Sequence, residues 1–150
     1  MTLSDAEIST IIGVVAATRA LGFWSMGLMP KLNERRIIAL GLALQIIASI
    51  LVIGAYDYLS VALVVALIGY AAGVQIPSAT SMISRILRHE VGLSLGVMEA
   101  MFGIGWVIGP GVGGFLADYT SWSGAPYIFM GLVSIASLIY FVLAHSHVEG

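Results

Sequence analysis

VGLSLGVMEAMFGIGWVIGPGVGGFL, residues 91–116, is a run of 26 residues with a single ionisable side chain, Glu99. A bilayer core about 30 Å thick is crossed by roughly 20 mostly apolar residues in a helix, so this stretch is long enough to span one. It lacks the apolar–polar alternation of a membrane strand. Gly105, Gly109 and Gly113 recur every four residues and fall on one helical face. With no Cβ atoms on that face a neighbouring helix can approach closely, and packing of this kind stands in for the hydrophobic drive that lipid does not supply. Pro110 removes one backbone donor from the middle of the run and is expected to bend it.

The rest of the chain has the same character. Hydrophobic residues make up 59% of the 150 and charged residues only 9%, against about 25% charged in a soluble domain. Six basic and eight acidic residues cannot coat a soluble surface, and the mean hydropathy of +1.03 agrees. A net charge of −2 with no basic stripe gives no footprint for nucleic acid. With no cysteine, thiolate ligation and disulfides are excluded.

Five apolar segments are expected, at 8–28, 37–56, 59–83, 91–116 and 127–144, making an all-α membrane protein with one transmembrane domain over 1–150. The first segment follows Asp5 and Glu7 where a signal peptide would carry basic residues. Lys31, Arg35 and Arg36 lie in the first joint, Arg85 and Arg88 in the third; Asp57 marks the second and Asp118 the fourth. Basic residues collect on the cytoplasmic side. The odd joints are therefore expected inside, the N-terminus outside and the C-terminus in the cytoplasm, in the cell membrane. The His145 and His147 pair reads as a solvated tail, and no metal, cofactor or Ser-His-Asp set is indicated, so no enzyme is expected.

Beginning at Gly96, the fourth segment reads Gly, eight residues, Gly105, three residues, Gly109-Pro110, two residues, Gly113-Gly114. This resembles the antiporter motif of the major facilitator superfamily at all six fixed positions. The stretch from Gly27 to the basic pair Arg35-Arg36 resembles the superfamily's loop signature, with Lys31 at its acidic position and Glu34 at its inner glycine. The register corresponds to helices two to six of one six-helix half, a partial half-bundle. The C-terminal half, helices eight to twelve, is expected for two reasons. The chain ends after its last helix, and the third segment lacks the arginine usual on the fourth helix of the other half.

The resemblance implies a secondary transporter that moves a small solute or drug-like compound against protons by alternating access. The bilayer, the solute, protons, and the missing transporter half or a second chain would be its partners. A non-transporting remnant or an accessory subunit packed on a partner is the alternative. Glu99 is the proton-coupling candidate, because desolvation raises a carboxyl pKa and access to water lowers it again; the alternative is a snorkelling or structurally paired carboxylate. Arg19, eleven residues into the first segment, is its candidate buried charge partner, as a structural bridge or a proton-release switch. Tyr70 and Gln75 are candidate cavity-lining residues, with a helix–helix hydrogen bond the other reading of Gln75. Gly69, Gly73, Pro77 and Ser81 share one face of the third segment. Trp24 and Trp122 are expected near the interfaces, and Trp106 is expected to pack.

Overall fold

The computed structural model describes residues 4–28, 33–87 and 90–146. They form five helices: α1 Asp5–Gly27, α2 Glu34–Leu51, α3 Tyr58–Ile86, α4 Val91–Thr120 and α5 Ala125–Ser146, with a single 3-10 turn, Val52–Gly54, after α2. All five are long and apolar enough to cross a membrane.

Local signals explain where the helices begin. The Ser4 hydroxyl accepts the Glu7 amide while the Glu7 carboxylate accepts the Ser4 amide at 2.8 Å. This reciprocal cap satisfies two of the donors left open at a helix start. It carries α1 three residues further toward the N-terminus than hydropathy alone suggested. Asn33 caps α2 through Arg35 N–H at 3.1 Å, and Asp57 caps α3 through Ser60 N–H at 2.7 Å. Helix α4 continues four residues past Leu116 and stops at Ser121, whose φ of 52° lies in the left-handed region. Pro77 and Pro110 lie inside α3 and α4 without ending them.

Helix α3 is the centre of the packing. It lies closely against α1 on one side and α2 on another, and α2 in turn packs on α5. Helix α4 meets α3 and α5 through much smaller patches. Many of the buried positions are small, among them Gly22 on α1, Gly41, Ala48 and Ser49 on α2, Gly69, Ala71, Gly73 and Ser78 on α3, and Gly131 and Ser134 on α5, with Ile37, Val64, Val65, Val74 and Met98 the larger side chains buried beside them. A Cβ on Gly22 would lie 2.6 Å from the Tyr70 carbonyl oxygen and 2.9 Å from Gly73 Cα, so α1 and α3 touch backbone to backbone. At Gly131 a Cβ would lie 2.6 Å from that of Ser49, which sets the α2–α5 approach.

One polar chain threads these apolar surfaces. Gln45 Nε2 donates to Gln75 Oε1 at 3.3 Å, and the Ser134 hydroxyl donates to Gln45 Oε1 at 3.0 Å. Three helices are thereby tied at one level. In lipid such side-chain bonds average about 0.6 kcal/mol each. The other polar atom of that amide, Gln75 Nε2, is buried without a partner among the described residues.

Candidate functional site

Two ionisable side chains sit well inside the spans. Glu99 is eight positions after Val91, and Arg19 is eight positions before Gly27. Each therefore lies about 12 Å along its own helix, Glu99 from the start of α4 and Arg19 from the end of α1, at a rise of 1.5 Å per residue. Helix α1 has its main contact with α3, and both side chains are exposed on this chain. Among the described residues neither has a hydrogen-bond or ion-pair partner.

The motif glycines of α4 are equally open. A Cβ added at Gly96, Gly105, Gly109 or Gly114 would meet nothing within 4 Å, and one at Gly113 would touch only Pro126, at 3.6 Å. Pro110 is exposed beside them. The close glycine packing occurs elsewhere, at Gly22, Gly69 and Gly73. A Cβ on Gly69 would collide with the Thr18 hydroxyl and lie 2.7 Å from the Val15 carbonyl oxygen. The periodicity of 69, 73, 77 and 81 pointed to this face of α3. Nothing in the sequence singled out Gly22 as the residue opposite.

Trp106 differs from the packing role expected of it, being 73% exposed. It borders a groove of about 630 Å³ together with Arg19, Phe23, Val65 and Tyr127. That volume lies within the usual range of small-molecule sites. Tyr70 bonds the Ser25 hydroxyl at 3.1 Å, joining α3 to α1, and Gln75 belongs to the Gln45 chain described above. Trp24 is exposed on α1, and Trp122 covers Gly124 between α4 and α5.

A second cluster gathers at the end of the bundle where α1 stops and α2 starts. Glu34 Oε1 accepts Arg85 Nη2 at 2.6 Å and the Ser81 hydroxyl at 2.9 Å. This links the first turn of α2 to the last of α3. Arg35 and Arg36 are exposed beside it, and Gly27 closes α1. Sequence reasoning treated Glu34 as a departure from a glycine and Arg85 as a loop charge. Opposite charges in joints assigned to the same side were the available signal for the pair. Lys31, Arg88, His89 and His147 lie outside the described residues. Asp57, at the opposite end, has its carboxyl held below the ordinary 3.8, first by the Ser60 backbone N–H and then by the Ser60 hydroxyl.

Comparison with known proteins adds the family. The chain is 30% identical over 120 residues to the quinolone resistance protein NorA of Staphylococcus aureus, an alignment covering 79% of this chain and 30% of that protein. It is also 30% identical over 131 residues to multidrug resistance protein 2 of Bacillus subtilis (strain 168), covering 87% of this chain and 31% of the relative. The chain thus spans about 30% of the length of the relatives it matches. No solved structure matches it. Residues 1–149 match the Major Facilitator Superfamily profile. With five apolar spans and nearly the whole chain inside that match, this integral membrane protein belongs to the Major Facilitator Superfamily, a family of transporters and not of enzymes.

Proposed function

We propose that the chain is helices eight to twelve, in the C-terminal half, of a proton-coupled secondary transporter that exports a small drug-like solute by alternating access. The observation that carries this reading is the state of α4, which holds Glu99 and the full glycine–proline motif on surfaces this chain leaves open. A helix that rocks against an opposing half needs such a surface. Glycines permit close approach, and Pro110 frees the Trp106 carbonyl and lets the helix bend. The names of the two relatives, which refer to quinolone and multidrug resistance, support a drug-like solute.

In this reading Glu99 carries the coupled proton, because an ionised carboxylate inside an apolar span costs a few kcal/mol unless it is paired or faces water. Opening to water favours release of the proton. Arg19, the other charge inside a span, is the candidate partner of Glu99. When α4 closes on α1 the guanidinium receives the Glu99 carboxylate and promotes proton release; when they separate, the carboxyl rebinds a proton. The groove between Arg19, Phe23, Trp106 and Tyr127 offers the solute aromatic walls. Opposite-half side chains complete the site.

Orientation follows the same logic. The Glu34–Arg85 pair joins the first and third joints, with Arg35 and Arg36 beside it. Basic residues concentrated at that end support a cytoplasmic placement, with the N-terminus outside and the C-terminus inside the plasma membrane.

Glu99→Gln tests the coupling. Reconstituted with its native partner portion in proteoliposomes, the Glu99→Gln protein should lose pH-driven solute exchange while the assembly stays intact on size-exclusion chromatography. Undiminished exchange would remove Glu99 from the mechanism. No exchange in the unsubstituted protein, with Gly109→Leu abolishing partner binding, would instead identify an accessory subunit.

A further inference from the structure

A groove lies at the Glu34 end of the bundle, between the start of α2 and the ends of α3 and α5. Its volume is about 970 Å³. One part of its lining is strongly polar and the other strongly apolar. Arg35, Arg36 and Arg85 stand at the rim with Asn33 and Glu34, while Ala39, Met82, Ile86, Phe141 and Val142 form the walls leading into the span. We infer that this groove binds an anionic phospholipid, its phosphate held by Arg36 and Arg85 and one acyl chain laid along the apolar walls.

The charge balance selects an anion. Arg36 and Arg85 set two guanidiniums against one carboxylate, and that carboxylate is already engaged by Arg85 and by the Ser81 hydroxyl. A guanidinium presents several donors in a fixed plane and binds phosphate oxygens through paired hydrogen bonds. The Arg85 side chain remains 73% exposed while paired, so donors are left for a second acceptor. A zwitterionic lipid brings a phosphate together with a cation that these arginines repel.

The apolar walls select a lipid over a free anion. Ala39 lies five positions into α2, about 8 Å below its start at the helical rise, so the groove continues from headgroup level into the hydrocarbon. Ile86 and Val142 on its flanks are mostly exposed. A soluble phosphate would use the rim alone and leave these walls uncovered. A phospholipid covers both. This site is independent of the coupling role of Glu99, because it lies at the bundle end and is read without any gradient.

The test is native mass spectrometry of the complete native protein, stripped of lipid in detergent and titrated with dioleoylphosphatidylglycerol or dioleoylphosphatidylcholine. The anionic lipid should bind saturably and at least fivefold more tightly. Arg36→Gln and Arg85→Gln should each weaken it several-fold, the latter more, because it also leaves the Glu34 charge uncompensated. Glu34→Gln should strengthen it. These opposite signs separate recognition from damage to the fold, which would weaken binding in every variant. Equal binding of the two lipids, or weaker binding in Glu34→Gln, overturns the inference. So does full displacement of the anionic lipid by millimolar inorganic phosphate, which would identify the rim as a site for a soluble anion.

Discussion

Gly73→Ala puts the α1–α3 interface to a quantitative test. The added methyl would overlap the Arg19 carbonyl oxygen and lie 2.9 Å from Gly22 Cα and 3.1 Å from the Arg19 carbonyl carbon. All three atoms are main chain, so no rotamer change relieves the contact. Ordinary van der Waals contact begins at 3.4 Å, and moving from 2.9 to 3.4 Å requires the helices to part by at least 0.5 Å. The same separation loosens the reciprocal contact of Gly22 with Tyr70 and that of Gly69 with Val15. Overpacking of this kind costs about 1–3 kcal/mol. Replacing a helical glycine by alanine returns up to about 1 kcal/mol of propensity. The net expectation is a loss of about 1–2 kcal/mol, a five- to thirty-fold change in the folded-to-unfolded ratio. Gly13→Ala is the control: it lies on α1, the helix that Gly73 packs against, with no described residue within 4 Å of its Cβ position, and should be neutral or slightly stabilising. Reversible unfolding in mixed micelles, followed by circular dichroism, measures both. If Gly73→Ala proves as stable as Gly13→Ala, α1 and α3 do not meet through these glycines, and the packing centre described above is wrong.

Three further outcomes are expected. Gln45→Leu removes two interhelical hydrogen bonds and should cost about 1 kcal/mol in the same assay, with a double-mutant cycle against Ser134→Ala returning a non-zero coupling energy. Asp57 has a folded-state pKa below its ordinary value, so its contribution is present above that value and is lost as the pH falls through the folded pKa. Between pH 6 and pH 3 the Tm of the unsubstituted protein should therefore fall further than that of Asp57→Asn, and parallel curves would remove the Ser60 contacts from the account. The chain has no cysteine, so single replacements report topology without background. Ser123→Cys should react with a membrane-impermeant maleimide on intact cells and Glu90→Cys only after permeabilisation; the reverse pattern would invert the proposed orientation.

Much of the fold was legible in advance because its determinants are local. Run length against bilayer thickness defines a span, and breaks near 30, 56, 89 and 123 separate the spans without reference to packing. Helix starts were read a few residues late at α1 and α2, where Ser4 and Asn33 cap polar first turns that a hydropathy criterion leaves out. The glycine–proline pattern of residues 96–114 led to the superfamily because it is a strict spacing within one helix. Glu99 and Arg19 stood out for the same local reason, a charge inside an apolar run.

The pairing of faces was not legible. In a soluble helix the apolar stripe marks the buried side, but here every side is apolar and periodicity loses that meaning. Gly105, Gly109 and Gly113 looked like the natural contact face, yet this chain leaves them largely open and packs Gly22 against Gly69 and Gly73 instead. Whether a small residue is in contact depends on whether another helix presents a matching backbone at the same height, which only the assembled bundle decides. The Glu34–Arg85 pair likewise depends on α2 and α3 lying side by side at one end. By itself the sequence determined that the chain crosses a membrane, about how often, and to which family it belongs, because hydropathy and spacing are properties of single segments. The tertiary structure decided which helices touch, which glycines are used, and that Arg19 and Glu99 do not meet on this chain, because in lipid those outcomes follow from three-dimensional fit.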